Sequence, residues 1–200
     1  KFKIIVYFGL FLILTSKISA QSLGEINEQD FFIGKKNAPI TIIEYSSLSC
    51  VHCASFHSNT LDLLKTEYID TGKVKFAFRD FPFNFPALLG SMILQCIPSE
   101  SRYEYMNALF LLQKTWVSRD NKKTTDNLYK IMQSGGMTKD EFDNCIKDTD
   151  LENKILTGVM LAQEEFKISS TPSFIINGAL VSGNLPIKEF RQILNKILSE

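Results

Sequence analysis

The sequence predicts an α/β fold: one sheet assembled from both ends of the chain, with a block of helices inserted between them. Three observations carry this. A strand–helix–strand pattern occupies residues 39–85. Helical spacing almost without strand patterning fills 86–166. A hairpin and an amphipathic helix close residues 167–200. A chain of 200 residues can bury a real core. Its 22 basic and 22 acidic residues cancel, which argues against a dedicated nucleic-acid binder, where a basic excess is needed.

The elements follow in chain order. Lys1 and Lys3 precede the apolar run Ile4 to Leu14, no acidic residue occurs before Glu25, and a polar stretch ends in Ile18-Ser19-Ala20. These are the parts of a secretory signal peptide, residues 1–20, cleaved after Ala20. An uncleaved anchor is the second reading, but the run is about half of the roughly 20 apolar residues a spanning helix needs. The chain opens on Lys1 rather than Met, so a residue or more is expected ahead of it. Export implies a periplasmic, oxidising location, where cysteines read first as disulfides. Residues 21–38 are polar and are expected to be a flexible mature N-terminus with one short turn.

Pro39 to Ser46, "PITIIEYS", is rich in β-branched residues and reads as a buried strand. Phe56, Leu61, Leu64 and Tyr68 then fall close to helical spacing, which starts a helix at or near Cys50 with Ser49 able to cap it. Gly72 ends the helix, and Val74, Phe76 and Phe78 alternate as a strand. Several helical segments follow, punctuated by Pro98 and Gly135-Gly136. Asn177-Gly178 marks a hairpin turn, and Pro186 opens the last helix.

The stretch "SCVHCASFH", residues 49–57, holds two of the four cysteines and both histidines. A haem clamp needs C-x-x-C-H, and Ala54 follows Cys53. A zinc site needs about four ligands, nominally Cys50, His52, Cys53 and His57, but a helix starting at Cys50 splays them around its axis. A structural disulfide closing so short a loop constrains the unfolded chain little. The redox reading has a mechanism. Unpaired N–H groups and the positive dipole end at a helix start favour a Cys50 thiolate, and His52 adds to this. Cys53, one turn on, is expected to be the more buried partner. His57 is read as a surface helix residue. A favoured thiolate stabilises the dithiol, so the disulfide is the form that gives its bond away.

"IIEYSSLSCVHC", "VKFAFRDFPF", the helical block and "STPSFIINGALVSG" together resemble the DsbA family of exported thiol:disulfide oxidoreductases, in the thioredoxin-like superfamily. The resemblance spans the mature chain. It implies a thioredoxin-like fold, residues 39–85 and 167–200, with an inserted α-helical domain at 86–166. It implies Cys50 as nucleophile and Cys53 as resolving cysteine. Val51 and His52 fill the dipeptide that tunes the potential, where the family often has Pro-His. Pro172 matches the family's cis-proline, and Thr171 its neighbour that pairs with substrate. Glu44, six residues before Cys50, is implied as a proton relay for Cys53.

Cys96 and Cys145 read as a second, structural disulfide, closing a loop of about fifty residues worth on the order of 4 kcal/mol in the chain-entropy model. Two buried free thiols are the alternative. Some of the sixteen phenylalanines are expected near the active site as an apolar groove for unfolded substrates, most in the core. The expected activity is donation of the Cys50–Cys53 disulfide to reduced or unfolded exported proteins. A membrane quinone-linked reoxidase is the implied partner, and no metal or organic cofactor is needed. Other readings are an isomerase or reductase of the same fold, or a periplasmic metal-delivery protein using Cys50, His52 and Cys53. Isomerases usually dimerise through an extra N-terminal domain, for which residues 21–38 are too short, so a monomer is expected.

Overall fold

The computed structural model describes residues 24–27 and 30–200. The expected signal peptide, residues 1–20, lies outside them. Strands β1 (Phe31–Gly34), β2 (Ile40–Ser46), β3 (Val74–Asp80), β4 (Ser173–Ile176) and β5 (Ala179–Ser182) form one sheet. Their spatial order is β1-β3-β2-β4-β5. The central strand β2 runs parallel to β3 and antiparallel to β4.

Because side chains alternate along a strand, β2 serves two cores at once. Ile40 and Ile42 enter one cluster, and Ile43 and Tyr45 the other. This is why the segment reads as an unbroken apolar run. The same alternation puts Glu44 on the Ile42 face, where it is 0% exposed. Asn177 (φ 45°) and Gly178 (φ 85°) make the left-handed turn between β4 and β5.

Helix α1 (Val51–Phe56) runs on through a π-helical turn at His57–Leu61, then α2 (Asp62–Leu64), then a second π-helical turn at Lys65–Ile69. Phe56 ties this helix to the sheet and the C-terminal helix, with ring centroids 6.2, 4.8 and 5.7 Å from Phe76, Phe174 and Phe190. Helices α3 (Phe85–Cys96), α4 (Ser99–Leu111), α5 (Gln113–Trp116), α6 (Asn121–Ser134), α7 (Lys139–Ile146) and α8 (Thr149–Phe166) follow, and α9 (Ile187–Ser199) closes the chain.

One sequence expectation changes. Residues 21–38, expected to be flexible, contain β1, which pairs antiparallel with β3 and sets Phe31 opposite Phe78. The two rings stack at 5.5 Å, and Asp30 accepts hydrogen bonds from Arg79 at 2.8 and 2.6 Å. Four residues in polar surroundings are too few to show a period, and the partners that hold them lie far along the chain. The helices expected at residues 86–166 are present as α3 to α8, inserted between β3 and β4, and they share their core with the sheet. One cluster runs from Ile40 and Phe76 through Ile93 and Phe110 to Trp116, Leu128 and Phe142. Helix α8 covers the other sheet face, where Ala162 packs with Ile43, Ala77 and Ile175. Among the described residues no helix is long and apolar enough to cross a membrane.

Candidate active site

β2 delivers the chain at Ser46 to the turn that carries Cys50. The Cys50 N–H donates to Ser47 O at 2.9 Å, closing the turn. Cys50 itself is the N-cap of α1, with no side-chain cap bond. Ser49, expected to cap this helix, donates instead through Oγ to Asn84 Oδ1 at 3.0 Å. Asn84 Oδ1 also accepts the Ala87 N–H at 3.0 Å, so the cap of α3 holds the active-site turn. The partner that takes Ser49 lies 35 residues away, out of reach of any local sequence signal.

The helical block grips the turn at two further points. Buried Gln113 donates through Nε2 to Leu48 O at 2.9 Å and to Cys50 O at 3.0 Å. Gly90 lets α3 approach Leu48 closely: a Cβ there would lie 2.9 Å from Leu48 Cδ1 and 3.1 Å from Trp116 Cη2. Neither residue was marked in the sequence reading. Gln113 left a trace, as the first polar residue after the apolar run "ALFLL".

Cys50 and Cys53 are free thiols. Cys50 is half-buried, and its Sγ donates to Thr171 O at 3.3 Å. The Thr171–Pro172 peptide is cis, and both residues are buried. Cys53 is 0% exposed. The two thiols titrate apart. A hydrogen bond from the Cys53 side chain, another from the Thr171 side chain and the backbone N–H groups of Cys53 and His52 outweigh burial and lower Cys50 from 9.0 to about 5. Burial, first, then the hydrogen bond to Cys50 and the charge of Glu44, drive Cys53 far upward. His52 acts on Cys50 through its backbone N–H, and its imidazole side is exposed, as is Val51 at 63%.

His57 was expected on the surface and is 6% exposed. It lies four residues after Cys53, hence on the same helix face, and that face is pressed onto the sheet. Its Nε2 is 3.0 Å from Glu44 Oε2 and its Nδ1 is 3.2 Å from Asn107 Oδ1. Glu44, expected beneath the cysteines, is thus joined there by a histidine and an asparagine the sequence reading did not place. Among the described residues, no group of three or more His, Cys, Asp or Glu is arranged to hold a metal ion. Cys50, His52 and Cys53 diverge: one half-buried, one on the surface, one in the core.

Remote from this turn, Cys96 at the end of α3 and Cys145 in α7 form a disulfide that spans 49 residues.

A strand–turn–helix with a C-x-x-C at the helix start, facing a Thr-Pro loop on a five-stranded mixed sheet, defines a thioredoxin-like dithiol protein. The family model described as Thioredoxin matches residues 26–196. A protein of Rickettsia bellii named "Putative protein-disulfide oxidoreductase" is 30% identical over 176 residues, covering 88% of this chain and 67% of its own length. "Disulfide bond formation protein D" of Bacillus subtilis is 24% identical over 180 residues, covering 83% and 76%. The crystal structure of Wolbachia pipientis alpha-DsbA1 superposes with a TM-score of 0.80 at 30% identity, over 87% of this chain and 93% of that one. The chain spans 63–67% of the length of the rickettsial relatives it matches. It belongs to the thioredoxin family and, within it, to the DsbA-type thiol:disulfide oxidoreductases.

Proposed function

We propose that this chain is an exported dithiol oxidase that donates the Cys50–Cys53 disulfide to reduced proteins. The observation that carries the reading is the split between the two sulfurs: Cys50 half-exposed and lowered to about 5, Cys53 buried beneath it and raised. A substrate thiolate attacks Cys50 Sγ of the oxidised enzyme, the Cys50–Cys53 bond breaks, and Cys53 leaves as a thiolate that takes up a proton. A second substrate thiolate then attacks the substrate sulfur of the mixed disulfide. The substrate disulfide forms, and Cys50 departs as a thiolate already favoured by its surroundings. Two electrons pass from the substrate thiols to the enzyme.

Each remaining site residue has a part in this scheme. The Thr171 carbonyl beside Cys50, next to Pro172, presents main-chain groups to an extended substrate. Glu44 exchanges the Cys53 proton. Val51 and His52 flank the attack site on the surface. Exposed Phe83, Phe85, Leu111 and Leu112 sit next in sequence to Asn84 and Gln113 or close by, the residues that hold the turn, and support contacts with unfolded chains. The disulfide between Cys96 and Cys145 is structural. Export to the periplasm rests on the features of residues 1–20, reoxidation falls to a membrane quinone-linked partner, and the working form is a monomer.

The test is the reduction potential of the Cys50–Cys53 pair in a glutathione buffer, with oxidation of a dithiol peptide as the assay. A potential well above that of glutathione, with peptide oxidation, is the expected result. A potential near roughly −270 mV, the range of a thioredoxin-like reductant, would make the chain a reductase. Stoichiometric zinc or copper without thiol exchange would make it a metal carrier.

A further inference from the structure

Helix α1 meets the end of the β4–β5 hairpin at a second place, away from the reacting sulfur. β5 ends at Ser182, and the chain turns over Gly183, Asn184 and Leu185 before α9. The Leu185 N–H donates to Gly183 O at 3.0 Å, which makes a γ-turn with Asn184 at its tip. Gly183 has a φ of 101°, a value open mainly to glycine. Asn184 Nδ2 donates to Ser55 Oγ on α1 at 3.0 Å. Leu185 O accepts from Thr60 Oγ1 at 3.3 Å, in the π-helical turn that continues α1. Asn59 Nδ2 lies 2.9 Å from Ser55 O and 3.2 Å from Ser55 Oγ and donates to both.

The same turn holds the loop that faces Cys50. The Gly183 N–H donates to Pro172 O at 2.9 Å. Buried Ser173 donates through Oγ to Ser170 O at 2.8 Å, across the cis peptide, and its Oγ lies 3.3 Å from Ser182 Oγ. From Ser55 the contacts run through Asn184 and Gly183 to Pro172. They return through Thr171 O to Cys50 Sγ, at the start of the same helix. The two contacts that close this circuit on α1 differ in one respect. The contact between Cys50 and Thr171 needs the thiol proton. That proton is absent from the thiolate, from the Cys50–Cys53 disulfide and from a mixed disulfide. In the thiolate, the sulfur anion also repels the carbonyl oxygen beside it. The contact between Asn184 and Ser55 involves no titrating group and no reacting sulfur, so no step of the exchange removes it.

We infer that Asn184 and Ser55 are positioning residues that keep α1 and the Thr171–Pro172 loop at the spacing a substrate strand needs. The inference rests on the proposed function, in which a substrate sulfur attacks Cys50 while substrate main chain pairs at Thr171. Those two points belong to different parts of the chain, one at a helix start and one in the loop before β4. Their separation has to match the reach of a cysteine side chain from its own main chain. A small error in that separation slows reaction, because the sulfurs no longer meet in line once the main chain is paired. A thiol without a peptide main chain makes only the sulfur contact and is indifferent to the spacing.

The test compares two reduced thiols, a short extended peptide with one cysteine and mercaptoethanol. The rate at which each opens the Cys50–Cys53 disulfide is measured by stopped flow. Asn184→Ala and Ser55→Ala should each slow the peptide by about two- to tenfold, the range of one hydrogen bond. The mercaptoethanol rate should stay as in wild type. The double variant should be no slower than Ser55→Ala alone, because both changes remove the same contact. Ser55→Thr keeps the accepting hydroxyl and should restore the peptide rate. Asn184 is exposed and Ser55 half-buried, so if one single variant fails to fold, the other decides the comparison. Equal losses with both thiols would mean a general loosening of the site and would overturn the inference. A peptide rate that stays at the wild-type value overturns it as well, and so do additive losses in the double variant. Wild type that reacts with neither thiol would instead sink the proposed function, a separate outcome.

Discussion

The molecule holds two cysteine pairs with opposite fates. Cys50 and Cys53 are three apart at a helix start and are free thiols, one half-buried and one sealed. Cys96 and Cys145 are 49 apart, join α3 to α7 and are bonded. The sulfur chemistry is the same, so the surroundings make the difference. Donors gather around Cys50 and stabilise its thiolate, which weakens the bond it could make with Cys53. The other pair closes a long loop, so its bond restricts the unfolded chain far more.

The comparison can be broken most forcefully at the reactive pair. Cys50→Ser should abolish peptide oxidation. Cys53→Ala, incubated with the oxidised (disulfide) form of the peptide, should accumulate a mixed disulfide between Cys50 and the peptide, seen by mass spectrometry, because the Cys50 thiolate opens the peptide disulfide and no Cys53 thiol remains to resolve the product. A Cys53→Ala variant that turns over freely would mean that the roles of the two sulfurs are misassigned.

Next in size is the bonded pair. Cys96→Ala with Cys145→Ala should lower the free energy of unfolding by about 4 kcal/mol in the loop-entropy account, measured by urea titration. The Cys50 midpoint should stay near about 5. Loss of stability at the first pair and of reactivity at the second would invert the contrast.

Gln113→Ala removes two hydrogen bonds to the turn, at Leu48 O and Cys50 O. Leaving those carbonyls unsatisfied should cost about 1–3 kcal/mol, with slower thiol exchange in the folded protein. The same deletion at an exposed amide of α6 should do neither.

The smallest effect sharpens the contrast through pH. Cys50 is lowered from 9.0 to about 5 while Cys53 is raised. Thiolate stabilisation of the reduced form is thus fully present above pH 9 and is lost as pH falls towards about 5. At pH 7 it amounts to at most about 2.7 kcal/mol, or about 60 mV, and solvent screening at the half-exposed sulfur reduces it. The potential should fall by about 30 mV per pH unit above the Cys50 midpoint, with one proton per two electrons, and by about 60 mV per unit below it. A single slope throughout would mean that Cys50 is an ordinary thiol.

Local pattern alone was enough for much of this molecule. The β-branched run at Ile40–Ser46, the helix after Cys50, the Asn177-Gly178 turn and the helical spacing of 86–166 are short-range signals, written in neighbouring residues. So is the C-x-x-C at a helix start, and with it the direction of the Cys50 shift. Tertiary packing decided the rest. Residues 31–34 became a strand because β3 offers Phe78 and Arg79 as partners. Ser49 went to Asn84 rather than to its own helix, and Gln113 reached back across 63 residues to Cys50 O. His57 was the instructive miss. Its spacing from Cys53 already put it on the inward face, but only the fold supplies the Glu44 and Asn107 that let a polar ring stay there. Hydrogen bonds and burial between residues distant in sequence leave no period to read, so they become visible only when the chain is folded.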